Sequence, residues 1–190
     1  MTETGKNFII LKNRFVLTPV KSGLMVIDQR RAHQRILYEQ FLGSLESHQG
    51  VSQQVLFPQT LEMNSADSTI LKEMLDDLNF IGFDIREFGP DTFVINGIPG
   101  LLANTDPCGV IELFLEEYKN SPADLREKAR ERVSFSLAMA SSIDYGRTLT
   151  PEEASHLIDS LFACQTPNFS PAGKPVVEII RMEEIEKKMK

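Results

Sequence analysis

Histidine and cysteine are scarce in this chain of 190 residues: three of the first and two of the second. Cys108 and Cys164 form no C-x-x-C pair, so a thiolate metal site is unsupported. A chain of this length needs no disulfide staple in a reducing compartment, and both read as small core residues. His33, His48 and His156 are scattered, without H-x-E or H-E-x-x-H spacing. They read as surface or rim residues rather than catalysts. No apolar run approaches the roughly 20 residues that cross a bilayer. The first six residues lack the basic-then-apolar pattern of a signal peptide. The expectation is a cytoplasmic protein with no membrane partner. A phosphate loop is missing too: Gly97-Ile98-Pro99-Gly100 has the glycines but neither Lys-Ser/Thr nor a following helix start. No Ser or Cys nucleophile pattern stands out. Positive charge is also short, with 20 Lys and Arg against 27 Asp and Glu, a net −7. Proteins that hold DNA by themselves usually carry a basic patch, so nucleic acid is a poor first choice of main ligand, although Arg30, Arg31 and Arg35 cluster.

What is present is an ordinary globular composition, 42% hydrophobic and 25% charged. Phe8–Leu11 and Phe15–Thr18 are β-branched and aromatic and predict strands. Ser22-Gly23 turns the chain into Leu24–Ile27, an apolar run typical of a buried strand. Asp28 is placed to cap a helix from about Gln29 to Phe41, which Gly43 is expected to stop. Val51–Met63 predicts an extended segment whose Pro58 cannot donate to a ladder, which marks an edge strand or exposed turn. Ile70, Leu71, Met74, Leu75 and Leu78 form an amphipathic stripe that ends at Gly82. Phe83–Ile98 predicts a hairpin turning at Gly89-Pro90-Asp91, and the stretch from Gly97 to Pro107 a loop. Helices follow over Val110–Lys119, from Pro122 to about Ser142, and from Thr150 to about Cys164, the last with Pro151 at its first position and acids in its first turn. Pro175–Ile180 predicts a final strand before a frayed Lys-rich end.

Strands at both ends thus flank a middle block that begins and ends with helices. The expected fold is α/β of the α+β type: a discontinuous subdomain, 1–63 with 147–190, into which an α/β unit, 64–146, is inserted.

Three strings carry a family likeness. Leu24–Glu39, with Asp28-Gln29 at a strand-to-helix junction, resembles the D-Q-H-A-x-x-E-x-x-x-x-E segment in C-terminal domains of MutL mismatch repair proteins. Phe169-Ser170-Pro171-Ala172-Gly173-Lys174-Pro175 looks like that family's C-P-H-G-R-P, and Ala138–Gly146 looks like A-C-H-x-A-V-K-A-G. The three occur in family order. The resemblance implies a two-subdomain MutL C-terminal fold, homodimerisation, other mismatch repair proteins as partners, and DNA contacted indirectly or weakly. It implies an ATPase, with ATP and magnesium, in an N-terminal region outside this chain, and a nucleoid-associated cytoplasmic location.

The departures carry the functional expectation. In MutL relatives with an endonuclease, these motifs supply His, Glu, Cys and His ligands for divalent metals that activate the cutting water. Here Arg30 stands for His and Gln34 for Glu, Met139 and Ala140 for Cys-His, Ser170 and Ala172 for Cys and His. Methionine, alanine and a neutral hydroxyl replace imidazole and thiolate poorly, and Arg30 puts a fixed positive charge where a cation would sit. Only Asp28 and Glu39 survive, each with a plain alternative role as helix cap and as i,i+4 partner of Arg35. The expectation is a domain without catalysis or bound metal. The alternative is a metal-dependent nicking endonuclease with altered ligands, built on Asp28, Glu39 and Asp144.

Gln53-Gln54-Val55-Leu56-Phe57-Pro58 resembles the Q-x-x-[LI]-x-P peptide by which bacterial repair proteins, MutL included, dock on the replication sliding clamp. Gln53 would anchor at a pocket rim, Leu56 and Phe57 would supply apolar anchors, and Pro58 would lower the ordering cost. A sheet built from 8–28 and 175–180 has two faces and one helix layer, so the bare face should pair with a second copy. Val16, Met25 and Ile27 are the expected interface residues.

Overall fold

A computed structural model describes residues 8–103, 105–126 and 128–190. In chain order the strands and helices are β1 (Ile9–Leu11), β2 (Phe15–Val20), β3 (Gly23–Asp28), α1 (Gln29–Ser47), β4 (Ser52–Glu62), α2 (Ser65–Ile81), β5 (Asp84–Gly89), β6 (Thr92–Pro99), α3 (Pro107–Lys119), α4 (Ala129–Ser141), α5 (Pro151–Ala163), β7 (Val177–Arg181) and α6 (Met182–Lys188). Short 3-10 turns fill Gly100–Leu102 and Ala123–Leu125. The architecture is α+β, with two antiparallel sheets ordered β1-β2-β3-β7 and β4-β6-β5. No helix among the described residues is long and apolar enough to cross a membrane.

The chain divides into two compact units. The first holds the described residues up to Ile36 together with Ser142–Lys190; the second is Leu37–Ser141. These boundaries differ from the expected ones. The division falls within α1, and β4 joins the second sheet because its backbone pairs with β6, Ser52 opposite Pro99 and Glu62 opposite Thr92.

In the first unit one sheet face packs on α5 and the start of α1. Val16, Ile27, Ala32, Ile36, Ala154, Leu157, Ile158, Leu161 and Val176 form this core, joined by Ile143 and Leu149. α5 begins with a complete capping box: the Thr150 hydroxyl accepts from Glu153 N–H while the Glu153 carboxylate accepts from Thr150 N–H. Gly23 holds φ +150° where β3 meets β7, and an added Cβ would lie 2.1 Å from the Ile180 carbonyl oxygen, so only glycine fits.

In the second unit, α1 from Leu37 onward, α2, α3 and α4 surround the inner face of the β4-β6-β5 sheet, centred on Phe41, Leu71, Leu78, Phe93, Ile95, Ile111 and Phe114. Asn64 caps α2, its side-chain oxygen accepting from Asp67 N–H. Three further differences have local causes. α1 does not stop at Gly43 but runs to Ser47, because Phe41 and Leu45 are both buried and hold the extra turn in place. The helix expected from Pro122 starts only at Ala129, after the 3-10 turn. The Lys-rich tail forms α6, with Glu183 and Glu184 in its first turn and Lys187 and Lys188 in its last, matching the helix dipole at both ends.

Candidate functional site

The strand-to-helix junction in the first unit is built around Asp28. β3 delivers it, almost fully buried, to the N-terminus of α1, where one carboxylate oxygen accepts from Arg31 N–H at 3.0 Å. The other oxygen accepts from the Tyr145 hydroxyl at 3.0 Å, with Arg31 Nε 3.6 Å and Arg14 Nε 4.0 Å away. Next to it Gln29 Nε2 donates to two backbone carbonyls, Asn13 at 2.7 Å and Arg147 at 3.0 Å, and Gly146 N–H also donates to Asn13. The β1–β2 turn, the start of α1 and the 144–147 loop are therefore tied together through one buried glutamine.

His33 is a residue whose role the sequence did not expose. It is half-buried, and its Nδ1 accepts from Ile143 N–H at 3.0 Å. Burial, aided by the positive charge of Arg147, lowers its pKa to about 4. Neutral imidazole is the form that can accept this bond.

The remaining positions of the three motifs have local structural roles. Arg30 approaches the exposed Asp144 carboxylate at 3.8 Å, and Gln34 Nε2 donates to the Ser142 hydroxyl at 3.4 Å. Arg31 donates to the Pro175 carbonyl and Arg35 to the Phe169 carbonyl, which clamps the 169–175 segment to α1. Ser170 is buried and its hydroxyl accepts from Lys174 N–H, closing a turn in which Ala172 is exposed. In the second unit Glu39 is partly buried on α1, and Met139 and Ala140 lie in the last turn of α4, with Ala140 packed on the core. Asp144 is almost wholly solvent-exposed. Among the described residues no group of three or more His, Cys, Asp and Glu side chains is placed to hold a metal ion. The Asp28 carboxylate, engaged by a backbone amide, a phenol and two guanidiniums, does not suit a divalent cation, which would have to displace all of them.

The Gln53–Pro58 string lies in β4, at the edge of the second sheet. Pairing with β6 is regular through Gln54↔Gly97 and resumes at Gln59↔Ile95. Four residues of β4, Val55–Pro58, face the single Asn96, so the strand bulges outward. Pro58, with no N–H to give the ladder, sits in that bulge. Leu56 is 93% exposed and Phe57 81%, while Val55 turns inward against the core. Gln53 and Gln54 are exposed. Below the bulge lies an open groove of about 310 Å³, lined also by Ile98, Ala103, Thr105 and Pro107.

The first sheet has one covered face and one bare face, but the expected interface residues lie on the covered one. Val16 and Ile27 are fully buried in the unit's own core, and Met25, two residues from Ile27, shares their face. Val16 and Ile27 leave no surface for a second copy, and Met25 is partly buried against the same core. The opposite face aligns Ile9 with Leu17, Leu17 with Val26, and Pro19 with Leu24 and Ile180. Ile9 is 67% exposed, and Leu11 and Ile180 are exposed at its margins. A one-residue shift of parity separates the expected set from the exposed one.

An antiparallel sheet with one bare apolar face, and a second sheet whose edge presents two solvent-facing apolar side chains, define an interaction domain of the α+β class. The chain belongs to the MutL C-terminal dimerisation domain family, whose model matches residues 8–149. It is similar to the DNA mismatch repair protein MutL of Parabacteroides distasonis, 40% identical over 189 residues that cover the whole chain and 31% of that protein. The MutL of Bacteroides fragilis is 38% identical over 97% of the chain and 30% of that protein. The MutL of Flavobacterium johnsoniae is 36% identical over 94% of the chain and 28% of that protein. The chain thus spans less than a third of the length of these curated relatives.

Proposed function

We propose that this chain is the non-catalytic dimerisation and docking part of a MutL-type mismatch repair protein, joining two copies through the bare face of the first sheet and engaging the replication sliding clamp through Gln53–Pro58. The observation that carries the docking half is the exposure of Leu56 and Phe57 on a bulge held by regular ladder on both sides. Large apolar side chains in that position gain nothing for the fold and much for a partner's pocket. A short segment buries little area, so clamp binding is expected to be weak, roughly micromolar or weaker after ordering costs. Other mismatch repair proteins would meet the dimer, and ATP with magnesium would act in the remaining, longer part of such a protein, in the cytoplasm near the nucleoid.

The test is a pull-down with purified clamp. Replacing Leu56 and Phe57 together by Ala should abolish binding while leaving the melting temperature nearly unchanged, because neither side chain is buried. Gln54→Ala should have little effect. A folded double variant that binds as well as wild type would refute the docking claim. The nicking-endonuclease reading predicts stoichiometric zinc or manganese on elemental analysis and plasmid nicking lost in Asp28→Asn. The engagement of Asp28 by Arg31, Arg14 and Tyr145 argues for neither being seen.

A further inference from the structure

We infer that the groove under the β4 bulge is the second half of the docking surface: it receives an uncharged, apolar side chain of the sliding clamp while Leu56 and Phe57 enter the clamp. The inference deepens the docking function proposed above and rests on that reading. The groove and the docking string share their walls. The string from Gln53 to Phe57 lines one part of it, and Ile98, Ala103, Thr105 and Pro107 line the rest. A body seated on Leu56 and Phe57 therefore lies over the groove as well.

Area requires more contact than the string supplies. A protein contact of standard size takes about 800 Å² from each partner. A buried phenylalanine supplies roughly 150–250 Å², so Leu56 and Phe57 together cover about half of that or less. The remainder has to come from surface beside them, and the groove, at about 310 Å³, is the concave part of that surface. It is also formed in advance. Ile98 is 3% exposed and held in β6, and Pro107 is buried at the start of α3, so the floor needs no rearrangement to accept a side chain.

The lining decides the chemistry of the occupant. Among the described residues it contains no ionisable side chain, on a chain that is 25% charged. Interface cores show the same depletion of charge. A neutral, apolar floor gives nothing to a phosphate, a carboxylate or an ammonium group, and it matches an apolar side chain carried on ordinary backbone. Two polar groups suit that backbone. Gln59, just past the bulge, offers a carboxamide. The Thr105 hydroxyl donates to the Leu102 carbonyl at 2.7 Å, which leaves its oxygen able to accept from an incoming N–H.

The test measures binding of the 190-residue chain to purified clamp, with a melting curve for each variant. Ala103→Trp fills the groove and leaves Gln53–Pro58 intact. It should weaken clamp binding about 10-fold or more while the fold is retained. Thr105→Glu sets a carboxylate against a neutral occupant and should act in the same direction, which keeps the test decisive if the tryptophan variant does not fold. A synthetic peptide of the Gln53–Pro58 sequence has no groove, and should displace the variants from the clamp at lower concentration than it displaces wild type. Wild type that binds, with both folded variants binding equally well, overturns the inference and leaves the docking function standing. Wild type that does not bind removes the docking function, and the inference with it. Variants that bind clamp normally but lose a dimer mass that wild type shows in light scattering would mark a second copy as the occupant, which also overturns the inference.

Discussion

A histidine that cannot hold its proton shows how much one side chain sets here. His33 accepts the Ile143 amide, and its pKa falls from the usual 6.5 to about 4. The unfolded chain therefore binds the proton first as pH drops. The stabilising effect of the neutral ring is complete above pH 6.5 and is lost as pH falls toward 4. On that basis the domain should lose about 1–2 kcal/mol of stability between neutral pH and pH ~5 from this residue alone. Urea titrations of wild type and His33→Gln at both pH values measure it. The variant should show a clearly smaller drop, and equal drops would mean that His33 is not the titrating group. The sequence could not show this role, because the partner amide lies 110 residues away. The same holds for Tyr145 and Arg14, which no spacing rule connects to Asp28. Asp28 itself was legible as a cap, since the acceptor and the amide it meets are three residues apart.

At the level of elements, short-range chemistry is legible in the sequence and helix ends are less so. The capping box of α5, the edge character of β4 and the apolar stripe of α2 follow from short-range patterns. The end of α1 did not, because burial of Leu45 outweighs the helix penalty of Gly43. That leaves an exposed glycine inside a helix, and an added Cβ there would meet nothing within 4 Å. Gly43→Ala should raise stability by about 0.5–1 kcal/mol, through a less flexible unfolded chain and better helix propensity. Chemical denaturation checks it, and a loss of stability would mean that this stretch of α1 is strained in a way its backbone does not reveal. Parity in β3 was the other weak point. Val16, Met25 and Ile27 are as apolar as Leu17, Leu24 and Val26, so composition alone could not say which row faces inward.

For the whole molecule, the proposed assembly through the bare sheet face can be tested at a single residue. Val26 lies in its middle, opposite Leu17 on one side and Glu178 on the other. Val26→Glu would place a second carboxylate beside Glu178 and a charge into any contact with a second copy, at a cost of several kcal/mol if that contact forms there. Light scattering at micromolar concentration should give a dimer mass for wild type and a monomer mass for the variant. Circular dichroism should show the fold retained, since the side chain points away from the core. A wild-type monomer would remove the dimer from the proposed function without touching the clamp test.

The interleaved order of the two units has a consequence for synthesis. The second unit is one uninterrupted stretch, Leu37–Ser141, so all its partners have been synthesised once α4 is made. β3 is made early, but its neighbour β7 pairs Val177 with Ile27 and Arg181 with Gly23, so one edge of β3 waits for nearly the whole chain. Until then an apolar strand offers unpaired amides and carbonyls to any passing extended segment. Nascent chains halted before Val177 should accordingly yield a protease-resistant second unit, while the first sheet remains open to cleavage and to capture by chaperones.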